Sequence, residues 1–474
     1  MIDLLPILTT DSPEPLYLQL YKYIRRQIES GDIPAHAKMP SKRKLANSLK
    51  ISQNTVTTAY QQLVAEGYLD ARTRSGHYVG TVAEDGFVPR PLRSKQTMKE
   101  WADERDGYDF VFDHASVDCS AFPLDSWRRL YKDVLFETES LVTLGDPQGD
   151  YGLRNEISEY LYRSRGVQCS PGHLIVGSGT QTLLLLLVQI IGWNRKYAME
   201  DPGYSKARKV LQHNGAQIEP IPLDQEGLSI RALQEQEVDI VYVTPSHQFP
   251  TGIVMPISRR YELLQWAAEK SERYIIEDDY DSEFRYSSKP IPSLQGLDTN
   301  GKVIYMGTFS KALMPSLRLS YMVLPTELLD IYRVRFSFYS QTVSRIEQQV
   351  MERFMREGFW ASHIQKMRNL YERKKEVLVS SLRRSFGNEL QIEGLDGGLH
   401  VIVGFDRPIS ERELIRRAKQ EKVLVQSLSL HYADNTRPEL CNMVLLGFAN
   451  LTADQIQEGV LRLERAWSDI GESP

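Results

Sequence analysis

A chain of 474 residues is too long for one ordinary core, so two or more domains are expected. Its 41% hydrophobic and 25% charged content excludes a fibrous or wholly disordered protein. The net charge of −5 is unevenly spread: residues 1–80 carry ten Lys/Arg and seven Asp/Glu, a balance of +3, leaving −8 for the rest and placing phosphate affinity at the N-terminal end. Cys119, Cys169 and Cys441 stand far apart without C-x-x-C spacing, which argues against a disulfide framework or a zinc site and suits a reducing compartment. The apolar N-terminal stretch lacks a basic start and is broken at Pro6, and the longest apolar run, Leu183–Ile191, is too short to span a bilayer. A cytoplasmic protein with no membrane partner is expected.

Leu16, Leu20, Ile24 and Ile28 recur every four residues and predict a first helix ending near Gly31. Ser41, after Pro40, can cap a second helix with Leu45, Ala46 and Leu49 inward. Ser52 can cap a third with Val56, Ala59, Tyr60 and Leu63 inward. The outer face of that third helix then carries Gln53, Asn54, Thr55, Thr57 and Thr58, short hydrogen-bonding side chains suited to base edges in a major groove. "YLDARTRSGHYV" reads as two short strands around Arg74, Ser75 and Gly76, a wing able to reach a minor groove.

Residues 11–80 resemble the winged helix-turn-helix of the GntR regulator family, through "PLYLQLYKYIRRQI", "MPSKRKLA", "NTVTTAY" and "EGYL" in order and spacing. The resemblance implies double-stranded operator DNA as partner, contacted by Ser41, Arg43, Gln53, Asn54, Thr55, Thr57, Thr58, Arg74 and Gly76. Two residues depart from the family pattern: Lys50 stands where Gly is common, and Gln53 where Arg is common.

A DNA-binding domain over residues 1–80 is followed by a linker over 81–109, of mixed charge and without sustained apolar period, with room for a short helix. Over residues 110–474, apolar runs such as "HLIVG", "DIVYVTP", "YIIEDD" and "KVIYMG" alternate with helical stretches such as 182–191 and 259–270. This predicts an α/β domain with a largely parallel sheet, whose ligands sit beyond the carboxyl ends of strands. The informative polar residues fall at those ends. Gly177 and Gly179 permit close backbone approach, and Thr180 and Gln181 open a helix whose free N–H groups suit a phosphate. "IIEDDYDSEF" ends a strand in Asp278, Asp279 and Tyr280, and "MGTFSK" ends another in Thr308, Ser310 and Lys311, with Arg318 seven residues on.

Together these three segments resemble the fold-type I aminotransferases, which bind pyridoxal 5'-phosphate (PLP). By that resemblance Lys311 would form an imine with the aldehyde, Asp278 would keep the pyridine nitrogen protonated, and Tyr280 would bond the ring hydroxyl. Tyr204 would stack on the ring, and Thr308, Ser310, Arg318 and the amides of Gly179, Thr180 and Gln181 would hold the phosphate. A GntR-type winged helix, a linker and a whole aminotransferase-like domain, in that order, resemble the MocR group of regulators and its GABA-responsive type. The resemblance implies a homodimer, domain-swapped and head-to-tail, and a PLP site that senses a small molecule.

Regulator and enzyme are both compatible with Lys311. An aminotransferase normally clamps its substrate carboxylate with an arginine near the C-terminus, and "CNMVLLGFAN" offers Leu445 and Leu446 there, which favours a regulator without physiological turnover, a residual half-reaction remaining open. In the GABA-responsive type an arginine binds the effector; "VQSLSLHYAD" offers Leu430 between Ser429 and His431, and Lys206 stands where a second arginine occurs. GABA would lose a charge-assisted contact of roughly 1.5 to 3 kcal/mol. Two signals remain: PLP itself, as in the pyridoxine-synthesis regulators of this group, which is the preferred reading, or an amine or amino acid held by Lys206, His400, Ser429 or His431. No metal ligand set is expected.

Overall fold

The computed structural model describes residues 8–9, 14–73, 75–80, 105–137, 141–286, 292–406, 409–433 and 442–468. Arg74, the short helix allowed for within the linker and Cys441 lie outside these residues. The chain divides into two compact units, Met1–Ala102 and Asp103–Pro474. Asp109, placed by sequence at the end of the linker, is already tied to the larger unit: its N–H donates to Lys422 O at 2.9 Å and its carboxylate pairs with Arg462.

The small unit contains helices α1 (Leu16–Glu29), α2 (Lys42–Leu49) and α3 (Gln53–Ala65), then strands β1 (Leu69–Arg72) and β2 (Gly76–Val79). Leu20, Ile24 and Ile28 of α1 pack with Leu45, Ala46, Val56, Ala59, Tyr60 and Leu63 in one core, while Leu16 stays half-buried. Each large apolar side chain buried here contributes roughly 2 kcal/mol. Both predicted caps form: Ser41 Oγ accepts from Lys44 N–H at 3.2 Å and Ser52 Oγ from Thr55 N–H at 3.1 Å, each worth about 1 kcal/mol. β1 and β2 pair antiparallel, Leu69 opposite Val79 and Arg72 opposite Gly76, as a wing.

The large unit is built on an eight-stranded sheet. Its strands are β4 (Leu174–Gly177), β5 (Lys196–Asp201), β6 (Gln217–Asp224), β7 (Gly227–Leu228), β8 (Ile240–Val243), β9 (Tyr274–Asp279), β10 (Val303–Thr308) and β11 (Ser320–Val323), the short β3 (Phe110–Val111) lying outside it. The spatial order is β4-β11-β10-β9-β8-β5-β6-β7. The five from β10 to β6 run parallel, as expected, while β11 is antiparallel to both neighbours and β7 to β6. Alternate residues face opposite layers: Ile240, Tyr242 and Ile276 join one apolar cluster, Val241, Val243 and Ile275 another. Such two-sided burial explains the uninterrupted apolar runs.

A second sheet, not foreseen from sequence, pairs β12 (Leu390–Glu393), β13 (His400–Phe405), β15 (Gln426–Ser427) and β16 (Met443–Gly447) antiparallel in the order β12-β13-β16-β15. A separate pair joins β14 (Val423–Leu424) to β3 in parallel. The 28-residue helix Phe359–Phe386 supplies Trp360, Ile364, Met367, Tyr371, Leu378 and Leu382 to the principal core.

Lys50 ends α2 in the left-handed region, at φ 51° and ψ 41°, and its N–H bonds Ala46 O and Asn47 O. A side chain there costs about 1 kcal/mol relative to glycine. Lys50→Gly is therefore expected to stabilise the helix-turn-helix by about that amount, slowing amide hydrogen exchange of α2 and α3 roughly fivefold in the full chain. Unchanged exchange would mean that the left-handed turn carries no strain.

Candidate functional site

Strand register brings the predicted residues together. Ser320, the first residue of β11, stands opposite both Thr308 at the end of β10 and Gly177 at the end of β4, and on β10's other side Met306 faces Asp278. The chain between β10 and β11 folds back as a loop carrying Lys311 and Arg318. These ends surround a cavity of about 230 Å³. Of the fourteen residues named above for cofactor and effector, ten line it: Thr180, Gln181, Tyr204, Lys206, Asp278, Tyr280, Thr308, Ser310, Lys311 and Arg318. The four that do not are Gly179, His400, Ser429 and His431, and each has a distinct place.

Gly179 caps the helix Thr180–Ile191 at φ 100°, and no side chain caps that helix. A Cβ on Gly179 would lie 2.2 Å from Arg318 Nη2, so the guanidinium rests over this glycine. Free helical N–H groups and an arginine thus face one end of the cavity, the arrangement an anion requires. Ser310 Oγ, also there, is buried without a hydrogen-bond partner. Thr308 plays a different part from Ser310: its Oγ1 accepts from Ser310 N–H at 3.2 Å and from Ser320 Oγ at 2.8 Å, so its oxygen shapes the turn.

At the sheet end of the cavity Asp278 is 3% exposed. Its Oδ2 accepts from the Tyr242 hydroxyl, while Oδ1 is buried with no partner. Burial, reinforced by Asp279 and Asp281 and opposed by Tyr242, pushes its carboxyl up to about 7. A protonated ring nitrogen is the kind of donor this orphaned oxygen lacks. Tyr280 lies alongside, its hydroxyl 3.0 Å from His247 Nδ1, which is also 3.0 Å from Asp281 Oδ2; burial first, then Asp281 and Asp278, hold the phenol protonated. Tyr204 packs edge-on against Phe249, ring centroids 5.6 Å apart. Lys311 Nζ donates to His114 O, and burial draws its amine below the ordinary lysine value, helped by Lys206 and opposed by Asp281 and Asp113. Lysine, orphaned carboxylate oxygen, orphaned serine hydroxyl and anion cradle are the donor set that PLP fits.

The wall away from that cradle differs from its expected composition. His114 lines the cavity, and His400 and His431 pack beside it at centroid distances of 6.3 and 6.0 Å. His400 Nε2 is hydrogen-bonded to Pro250 O at 2.9 Å. Ser429 is engaged elsewhere, its hydroxyl with Ser427 and its N–H with Glu411. His431 is buried, with Nδ1 unpartnered, and burial lowers its imidazole to about 3. Leu430 is 57% exposed. Leu445 and Leu446 lie in β16 opposite Ile402 and Val401, fully buried. Sequence reasoning missed His114, Thr244, Phe249 and Ser320 among the lining residues. Among the described residues no group of three or more His, Cys, Asp or Glu could hold a metal ion, and no helix is long and apolar enough to cross a membrane.

On the small unit, Gln53, Asn54 and Thr58 are exposed, Thr55 and Thr57 half-buried, and Ser41, Arg43 and Gly76 exposed. Thr58 Oγ1 bonds back to Asn54 O and Thr55 Oγ1 to Ser52, while the exposed Gln53 and Asn54 side-chain amides at the start of α3 have no hydrogen bond to a described residue. The wing adds two cations not singled out from sequence, Arg72 and Lys38, 4.5 and 5.6 Å from the Tyr78 ring centre.

Asp278 also predicts a pH dependence. Its folded value of about 7 exceeds the ordinary 3.8, so the protonated carboxyl favours the folded chain at low pH and that contribution is lost as pH rises from about 4 to about 7. Asp278→Asn, neutral in both states, is expected to gain in Tm over the unsubstituted ligand-free chain across that window and to keep a constant lead above it. A lead that does not change between pH 5 and 8 would rule out the burial effect.

Two family models match the chain: "Bacterial regulatory proteins, gntR family" over residues 16–79 and "Aminotransferase class I and II" over residues 114–463. The chain is 42% identical over 98% of its length to the whole of the uncharacterized HTH-type transcriptional regulator YdeL of Bacillus subtilis. It is 34% identical to the probable rhizopine catabolism regulatory protein MocR of Rhizobium meliloti, covering 97% of this chain and 95% of that one. A more distant relative, at 29% over 96% and 97% of the two chains, is the pyridoxine biosynthesis regulator PdxR of Corynebacterium glutamicum. Among solved structures, the α-aminoadipate aminotransferase LysN of Thermus thermophilus, complexed with N-(5'-phosphopyridoxyl)-L-leucine, is similar at a TM-score of 0.68 and 26% identity, over 77% of this chain and 93% of that one. The chain therefore belongs to the MocR group of HTH-type transcriptional regulators, in which a gntR-family DNA-binding domain is joined to a class I and II aminotransferase domain.

Proposed function

We propose that this chain is a regulator that binds operator DNA through α3 and the wing and binds PLP in the large unit, where occupancy by PLP is itself the signal. The observation that carries the reading is the pair of orphaned buried atoms, Asp278 Oδ1 and Ser310 Oγ, in one cavity with Lys311. When bound, PLP supplies an aldehyde for an amine and an electron-accepting ring. The chain supplies the rest. Lys311, its amine drawn toward neutrality by burial, is the nucleophile; Asp278 holds the ring nitrogen; and Tyr280, kept protonated, donates to the ring oxygen. Tyr204 stacks on the ring. Ser310, Arg318 and the Thr180 and Gln181 amides take the phosphate, with Thr308 holding the turn. Gly179, expected to add its own amide, instead donates that N–H to Gly177 O at 2.9 Å and leaves room for the guanidinium.

Turnover is not part of the proposal, because the carboxylate clamp it needs has no counterpart: Leu445 and Leu446 are core residues, and Arg318 is the one guanidinium lining the cavity among the described residues. The same absence argues against GABA as the effector. A second reading, an amine or amino acid sensed beside PLP, is favoured by Lys206 and His114, which line the same cavity and are not needed to hold PLP. In either case ligand binding biases two arrangements of the DNA-binding modules in a cytoplasmic homodimer, for which a coupling of about 1 to 3 kcal/mol suffices.

Footprinting on the chain's own upstream DNA, with and without PLP, tests the signal: a changed footprint without added amine is expected. Lys311→Ala should retain basal DNA binding and lose the change, and an unaltered response in that variant would sink the proposal. Asn54→Ala should reduce the preference for operator over random DNA by about tenfold, the value of one good base contact, while PLP absorbance stays as it was. Full retention of the preference would remove α3 as the reader.

A further inference from the structure

We propose that the His114 wall of the cavity is a subsite for a hydrogen-bond-donating group, a hydroxyl or ammonium at the far end of a small primary amine, and that it discriminates against a carboxylate in the same place. The inference rests on the second reading above, in which an amine is sensed beside PLP.

A chain of hydrogen bonds fixes the tautomer of His114. Gln426 Nε2 donates to Asp113 Oδ1 at 3.0 Å. Asp113 is a carboxylate built to accept: Arg105 and Ser116 Oγ both reach its Oδ2 at 2.7 Å, and Ala115 N–H reaches Oδ1 at 2.9 Å. The amide of Gln426 is thereby oriented with Oε1 toward His114, where it accepts the backbone N–H at 3.0 Å and meets the ring at Nδ1. A carbonyl oxygen can only accept, so Nδ1 carries the proton and Nε2 a lone pair. Nε2 has no hydrogen bond to a described residue, and His114 lines the cavity. Burial, and after it the neighbouring Lys311, lower the imidazole to about 4, so it stays neutral at ordinary pH.

The rings packed about His114 carry no charge to reverse this polarity. Phe249 packs against His114 at 5.2 Å, and His400 and His431 behind it are drawn toward neutrality by their own burial. A carboxylate against Nε2 would set lone pair against lone pair, whereas a hydroxyl or ammonium would complete the bond. Lys206 is the lining cation outside the phosphate cradle besides Lys311, but it is exposed, where solvent weakens its pull on an anion.

The test is calorimetric titration of the full-length PLP-loaded protein with four amines of matched length: n-butylamine, 4-aminobutan-1-ol, 1,4-diaminobutane and 4-aminobutanoate. The alcohol and the diamine are expected to bind at least about tenfold more tightly than 4-aminobutanoate, and the alcohol more tightly than n-butylamine. In His114→Leu the ratio between alcohol and n-butylamine should fall to about one. Equal or tighter binding of 4-aminobutanoate by the unsubstituted protein overturns the inference and does not depend on the variant's folding. Visible absorbance of bound PLP with no heat from any amine also overturns it, while leaving PLP occupancy as the signal; failure of that absorbance to form at all removes both.

Discussion

The cavity depends on one register. β11 returns antiparallel between β10 and β4, and Ser320 is thereby opposite Thr308 on one side and Gly177 on the other. That single residue ties the ends of three strands, and its hydroxyl bonds Thr308 Oγ1. Because strand side chains alternate, a slip of one residue would turn Ser320 and Thr308 to the opposite faces and carry the Lys311 loop with them. Arg318 sits in the left-handed region at φ 52°, just before this pairing begins, and that turn brings its guanidinium over Gly179, where even a methyl group would collide. A left-handed arginine, and a glycine where no other residue fits, are thus the local cost of putting a cation and free amides at one point.

The edge so assembled carries an unusual density of buried acid. Glu277, Asp278, Asp279, Asp281 and Glu283 follow within seven residues, and Glu200 lies nearby on β5. Buried carboxylates are costly unless paired or bonded, and most of these are. Asp279 Oδ2 meets Arg165 at 2.7 Å and the Tyr305 hydroxyl at 2.6 Å, while Glu277 accepts the N–H groups of Leu294 and Gln295 at 2.8 and 2.9 Å. Asp278 Oδ1, like Asp279 Oδ1 and Glu200 Oε1, is buried without a partner, and Asp278 is the one of the three that lines the cavity. An unpartnered oxygen on the wall of a cavity is within reach of a ligand, as one enclosed in the packed sheet is not.

How much of this was legible follows from distance along the chain. Lys311, Asp278, Thr180 and Arg318 could be named because each stands within a few residues of a strand end, and parallel strands present those ends together. The helix expected over 182–191 begins at Thr180 because Gly179 is its cap, a detail the glycine itself signalled. His114 was invisible: it lies 197 residues from Lys311, follows a strand of two residues, and belongs to no local pattern. The second sheet escaped for the same reason, since β13 pairs with β16 across some forty residues and neither pattern predicts the other. Conversely, the two caps were readable because helix starts are decided by the residues within them, whereas Lys50 stood out only as a departure from the family pattern.

The polarity of the cavity bears on what a captured enzyme fold can be used for. Catalysis on an amino acid needs the reacting carbon held in place, and the usual means is a bidentate arginine on the carboxylate. On the reading proposed above, Arg318 and the helix amides would hold the phosphate and His114 would present a neutral imidazole lone pair, while the segment near the C-terminus that would supply a clamp is packed with leucine. Such a site grips one end of a bound molecule firmly and the other loosely. Loose grip is damaging to a reaction that must position a bond to within fractions of an ångström. It is tolerable for a switch, which needs only that the ligand favour one arrangement over another by a few kcal/mol. The same residues that weaken the case for turnover therefore leave the case for sensing intact.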